Sequence, residues 1–205
     1  MERRLLFANI SYRSNGQQQG KFRYVRETGD AGEKYNFEPV VMNNQEVCLG
    51  YFEAGYGKGG YEHGKQRQVH IEKLDISLLR SSPSIQRVTV IWCAFIEDIN
   101  RASIIGWYNN ADVFRRPIKL PYGDIPGRGS LDNEYVYNVI ADKSNCVHLP
   151  FSEILNEAWY APRSRTSGYG FGESNMWYAE EPEAKEYVDK VLYNINHYSG
   201  LNLIC

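Results

Sequence analysis

"VTVIWCAFIEDINRASIIGWYNNADVFRR", residues 88–116, decides how the rest of the chain is read. Its first eight residues are the strongest strand signal in the sequence, apolar enough to lie in the middle of a sheet and be buried on both faces. Residues 102–108, "ASIIGWY", and 111–116, "ADVFRR", read as two further short strands. Asn109 and Asn110 between them suit the φ > 0 positions of a tight hairpin turn. A β-sheet is therefore the frame.

On either side, "RRLLFANISY", "KYNFEPVV", "EVCLGYFE" and "RQVHIEKL" read as short strands, and residues 134–142, "EYVYNVIAD", alternate as another. The separators "SNGQQQG" and "AGYGKGGYEHGKQ" have loop chemistry, and "DISLLRSSPS" a short turn or helix. "LPFSEILNEAWY" reads as a short helix with Ser152 as its N-cap. Near the C-terminus, "EPEAKEYVDKVLYNINHY" is an amphipathic helix. Pro182 fits its first position, and Ala184, Tyr187, Val188, Val191, Leu192 and Ile195 line one face, which packs on the sheet.

At 205 residues the chain is the size of one domain, 1–205, with no repeat or linker-like shift in composition. Its longest apolar runs are far too short to span a bilayer, and the basic N-terminus leads into a strand rather than a signal peptide, which implies a cytoplasmic location. Cys48, Cys93, Cys146 and Cys205 form no C-x-x-C pair, and the four histidines are scattered, so no metal site and no cofactor is expected. A net charge of −2 argues against a sequence-blind DNA clamp; a nucleic-acid role would need a local basic patch. The sequence spells no G-x-S-x-G elbow, P-loop or zinc-deaminase signature and no nucleophile-base pair, so a binding module is expected rather than an enzyme.

The composition departs from average in its 16 tyrosines and four tryptophans. Such aromatics suit either base-stacking pockets or a β-rich core. Trp107 and Trp177 have polar neighbours, Ser174 and Asn175 beside the latter, which is the equipment that holds a flipped base between rings and reads its edge. Tyr178 belongs to the same segment and points the other way if that segment is extended. Trp92 is either pocket or core. Gly168, Gly170 and Gly172 in "SGYGFGESNMWY" either fold a loop over a cavity or merely turn the chain, leaving Trp177 to pack beneath the last helix. Arg115, Arg116, Lys119, Arg128, Arg163 and Arg165 flank these aromatics and are the candidate phosphate contacts.

The blocks "GDAGEKYNF", "GYFEAG", "VHIEKL", "VTVIWCAF", "ASIIGWYNNADVFRRP" and "GFGESNMWYAEEPEAKEYVDKVLYNI", in that order, resemble the N-terminal region that precedes nuclease modules in modification-dependent HNH-type restriction endonucleases. That region is similar to EVE and YTH domains of the PUA-like superfamily. The resemblance implies an α+β fold, a curved, barrel-like mixed β-sheet with flanking helices, holding a modified base in an aromatic pocket. By position it implies Trp107 and Trp177 as pocket walls and Ser174 and Asn175 as edge readers. Modified DNA is the implied partner, together with a nuclease module or subunit; none follows Cys205, so cleavage is not expected of this chain. Two other classes stay open: a protein-interaction adaptor, whose hot spots would also be aromatic and arginine-rich, and a nucleotide sensor with phosphate on the glycine loop.

Overall fold

The computed structural model describes residues 4–10, 32–55, 68–121, 123–125 and 135–204. The loop expected at 14–20, His63, Arg128 and Cys205 lie outside them. Among the described residues eight strands form one mixed sheet: β1 (Leu5–Ile10), β2 (Pro39–Met42), β3 (Gln45–Gly50), β4 (Ser84–Ile96), β5 (Arg101–Leu120), β6 (Tyr135–Asp142), β7 (Cys146–His148) and β8 (Met176–Trp177). Their order is β2-β3-β6-β5-β4-β1-β8, with β7 paired to β5. Among the described residues the sheet is open, ending on β2 and β8, and does not close into a barrel. β1 runs parallel to β4, and the other pairs are antiparallel. The helices are few and short apart from the last: α1 (Phe151–Ile154), α2 (Ser164–Ser167) and α3 (Lys185–Asn196).

β4 sits between β5 and β1, as its apolar run requires, and residues 90–94 are all buried. The Asn109–Asn110 hairpin is not formed. Residues 101–120 are one continuous strand, and the chain reverses instead at Asn100, whose φ is 49°. Between the pairs Val88–Ala111 and Val90–Tyr108, Thr89 alone opposes both asparagines, and Asn110 takes φ 53°. The Asn pair thus supplies the left-handed residue of a β-bulge, which twists the strand without turning it.

The strand expected at 67–74 is not formed over its described residues, 68–74. Despite their alternation, Ile71–Lys73 form a 3-10 helix. Ser152 lies inside α1, whose N-cap position is Pro150. The C-terminal helix is as the periodicity indicates: Ala184, Val188, Val191 and Ile195 are buried, Tyr187 and Leu192 half-buried, and a Pro182–Ala184 turn leads in.

Directly paired residues share a face of the sheet. Trp107 pairs with Ile91, Ile91 with Phe7, and Phe7 with Trp177, so these four form one row across β5, β4, β1 and β8. α3 covers the β1–β8 end, where Tyr187 lies 6.1 Å from Phe7 and 5.9 Å from Trp177 between ring centroids. The opposite face carries Trp92, Tyr108, Phe52 and Phe37 in edge-on contact. There the sheet curls: a Cβ on Gly50 of β3 would come within 2.5 Å of the Trp92 ring on β4. Cys48, Cys93 and Cys146 are buried.

Beyond β3 the chain continues through Tyr51 and Phe52, held by side chains instead of a strand. Asn36 Nδ2 donates to the Tyr51 carbonyl at 2.9 Å, and the Tyr51 N–H donates to Asn36 Oδ1 at 2.8 Å. Asn138 does the same for Phe52, at 2.8 and 3.2 Å. Two primary amides thus imitate peptide groups and satisfy a buried backbone at little entropic cost.

Candidate functional site

The glycine loop folds back on the residues before it. Gly168, φ 78°, ends α2 with its N–H on the Ser164 carbonyl. Gly170, φ 108°, lies so close to Pro162 that a Cβ would stand 2.3 Å from its carbonyl oxygen. The Phe171 N–H then donates to the Pro162 carbonyl, and the Ser164 N–H to the Phe171 carbonyl. The glycines therefore make a tight crossing, which delivers Ser174 to Trp177 along the free edge of β1.

There a cleft of about 300 Å³ opens. One wall is Ser174, Met176, Trp177 and Tyr178 from the edge strand and its flanks. The facing wall is Gln68, His70 and Lys73 around the 3-10 helix, with Ala54 from the amide-held segment. Ala179 turns the chain with φ 52°, so that Glu180 and Glu181 also line the cleft. A left-handed alanine costs about 1–2 kcal/mol, so the surrounding contacts hold this turn against its preference.

Polar groups in the cleft are fixed. Tyr178 Oη accepts from the His70 N–H at 2.9 Å, and the Lys73 ammonium lies 5.2 Å from the Tyr178 ring centroid and 2.6 Å from Glu180 Oε2. Burial pushes the Tyr178 hydroxyl well above its ordinary range, so it stays protonated. Glu181 Oε2 accepts from Trp177 Nε1 at 2.8 Å, leaving its other lone pairs to a ligand. Ser174 Oγ accepts from the Met176 N–H at 3.1 Å, a bond that leaves its O–H to donate. Behind His70, Glu72 reaches His70 Nδ1 at 3.0 Å and Arg115 Nη1 at 2.6 Å. Partial burial pushes its carboxyl up, but its own backbone N–H, His70 and Arg115 together outweigh that and hold it at about 2.

Of the residues singled out in the sequence, Ser174, Trp177 and Tyr178 meet in this cleft. Asn175 braces it instead, donating from Nδ2 to the Glu53 carbonyl at 3.1 Å while its own carbonyl accepts from the Asn9 N–H. Trp177, 5% exposed, is mainly core: it packs on Phe7 at 4.5 Å and against Tyr169, Phe171 and Tyr187 under α3. Trp107 is not its opposing wall. It is three strands away, roughly 14 Å, whereas rings sandwiching a base stand about 7 Å apart, twice the stacking rise. It is 2% exposed and stacks on Trp159 at 5.4 Å. Trp92 is fully buried on the other face and is core.

Among the basic candidates, Arg115 is not available to a phosphate. Its side chain is buried and donates to Glu72, to the Ser82 carbonyl at 2.9 Å and to the Leu79 carbonyl at 3.4 Å. Arg163 is half-buried, 5.8 Å from the Phe171 ring centroid, while Arg116, Lys119 and Arg165 are exposed. Sequence reasoning missed His70, Lys73, Glu180 and Glu181. The first pair sits in a segment that alternates like a strand, and the second reads as ordinary acidic residues at a helix start. Among the described residues no cluster of three or more His, Cys, Asp or Glu could hold a metal, and no helix is long and apolar enough to cross a membrane. Compared with protein-family models, with curated proteins and with solved structures, the chain matches none significantly.

Proposed function

We propose that the chain is a binding module for a modified base in DNA, taken flipped into the cleft of Ser174, Trp177 and Tyr178, in a cytoplasmic restriction or defence setting beside a nuclease module or subunit. The observation that carries this reading is the convergence of those three residues, named for base contact on sequence grounds, on one cleft with fixed donors and acceptors. The volume stands at the lower end of the ~300–1,000 Å³ typical of small-ligand sites. Tyr178 offers an apolar ring, Ser174 a donor, and Glu180 and Glu181 acceptors for the edge of a base. The strained Ala179 that turns both carboxylates inward is the kind of outlier that gathers at binding sites. Arg116, Lys119, Arg163 and Arg165 supply phosphate contacts. The curled sheet, with β3 reaching toward β4 across one face, supports a PUA-like, EVE- and YTH-like architecture.

The test is a binding screen with duplexes carrying single 5-methylcytosine, 5-hydroxymethylcytosine or N6-methyladenine against the unmodified duplex. One modified duplex should be preferred, with affinity falling steeply as salt rises, and Tyr178→Ala should abolish the preference. Equal binding to all duplexes, or none, refutes the reading; salt-insensitive capture of a protein would favour an adaptor.

A further inference from the structure

Three residues beyond the cleft's Lys73, within ~11 Å of chain, a turn presents bare aliphatic side chains to solvent. Ile76 is 85% exposed and Leu79 71%. Their backbone is nonetheless pinned. Asp75 Oδ1 accepts from the N–H and the hydroxyl of Ser77, the Leu78 N–H donates to the Asp75 carbonyl, and the Ser82 N–H to the Leu79 carbonyl. Arg4 holds the Asp75 carboxylate, and Arg115 holds the Leu79 and Ser82 carbonyls. Through its contact with Glu72, and Glu72's with His70, that same guanidinium ties the turn to the cleft wall. Cleft and turn are therefore one braced unit.

We propose that Ile76 and Leu79 form a rigid wedge that enters the base stack of duplex DNA beside the base drawn into the cleft; this rests on the base-reading function above. Two features of the turn select DNA as the partner. The acidic groups of the stretch, Glu72 and Asp75, are neutralised by Arg115 and Arg4, while Arg80, next to Leu79 in the chain, is exposed, so the charge bordering the apolar tip matches phosphate. Apolar side chains that part a base step while cations hold the flanking backbone are an established way to separate bases, and a pinned turn spends no ordering entropy when it enters. A flipped base leaves a gap in the stack. The wedge fills it, so the energy of unstacking is recovered on the same molecule that captures the base.

The experiment compares the full chain with Ile76→Ser/Leu79→Ser on the preferred modified duplex and on the same modified strand unpaired. Loss of the wedge should weaken duplex binding about tenfold or more, because a few kcal/mol of unstacking is no longer offset. Single-strand binding, which needs no wedge, should change less than about twofold. Ile76→Met/Leu79→Met keeps an apolar tip and should restore duplex affinity. Unchanged duplex binding in the serine variant overturns the wedge and leaves the base-reading function standing. Equal losses on both substrates, or a lowered melting temperature, also overturn it by giving these side chains a generic or packing role. If the parent chain prefers no modified duplex, the base-reading function fails and the wedge with it.

Discussion

Replacing Trp177 by Ala tests where the cleft ends and the core begins. The indole is 5% exposed, 4.5 Å from Phe7 and about 6 Å from Tyr169, Phe171 and Tyr187 between ring centroids. A buried Trp removes ~150–250 Å² from water, which at ~25 cal/mol/Å² is ~4–6 kcal/mol as an upper bound. Its N–H bond to Glu181 adds little, because that carboxylate is half-buried and water can replace the donor. The neighbouring cleft lets solvent and side chains relax into the gap, so the expected loss is ~3–5 kcal/mol. For a chain of this size that lowers Tm by roughly 6–20 °C. Urea unfolding at neutral pH measures it, with Trp177→Phe, which keeps most ring contacts, expected to lose less than half as much. An Ala variant within about 1 kcal/mol of the parent would refute the account of Trp177 as the keystone between α3 and the edge of the sheet.

Two further predictions concern stability. Burial against Phe37, stacked at 4.2 Å, lowers the His148 pKa from 6.5 to about 4. The unfolded chain therefore takes up a proton that the folded chain refuses. Stability should be full above pH 6.5 and fall as pH drops toward 4, by up to ~3 kcal/mol, and His148→Phe should flatten that window in pH-dependent denaturant melts. The glycine loop makes the second: Gly170→Ala forces a Cβ against the Pro162 backbone and should cost several times what Gly168→Ala costs. Gly168 has a similar positive φ but open space around it, so there ~1 kcal/mol is expected.

Local chemistry made some elements legible and misled on others. β4 and α3 declared themselves because a doubly buried strand and an amphipathic helix each have a pattern that few other structures share. The Asn109–Asn110 pair was informative about φ and silent about its use, since a hairpin and a bulge ask the same of a residue; the length of β5 was settled by its partners on both sides. Residues 68–74 alternate, yet Ile71–Lys73 form a 3-10 helix whose Glu72 meets Arg115, a contact 43 positions away in the chain. The aromatic site was half legible. Ser174, Trp177 and Tyr178 line one cleft because they are close in sequence, while the placing of Trp107 against Trp177 depended on register across three strand junctions. Asn36 and Asn138 gave no signal, because what makes them special is the distant backbone each one meets.

The two asparagines also bear on what kinds of change this chain tolerates. A strand ladder can slip by two residues and still offer a donor and an acceptor at each step. A side-chain amide serves one residue only, so Asn36 and Asn138 assign Tyr51 and Phe52 individual places. Ala54 stands two residues further on in the cleft. Substitutions at positions 51–53 that preserve the backbone leave that placement intact, whereas a one-residue insertion or deletion there has no register to fall into. Drift across related sequences should therefore alter the half-buried positions 51 and 53 while keeping a large apolar residue at 52, in the core against Trp92, and should change the segment's length hardly at all.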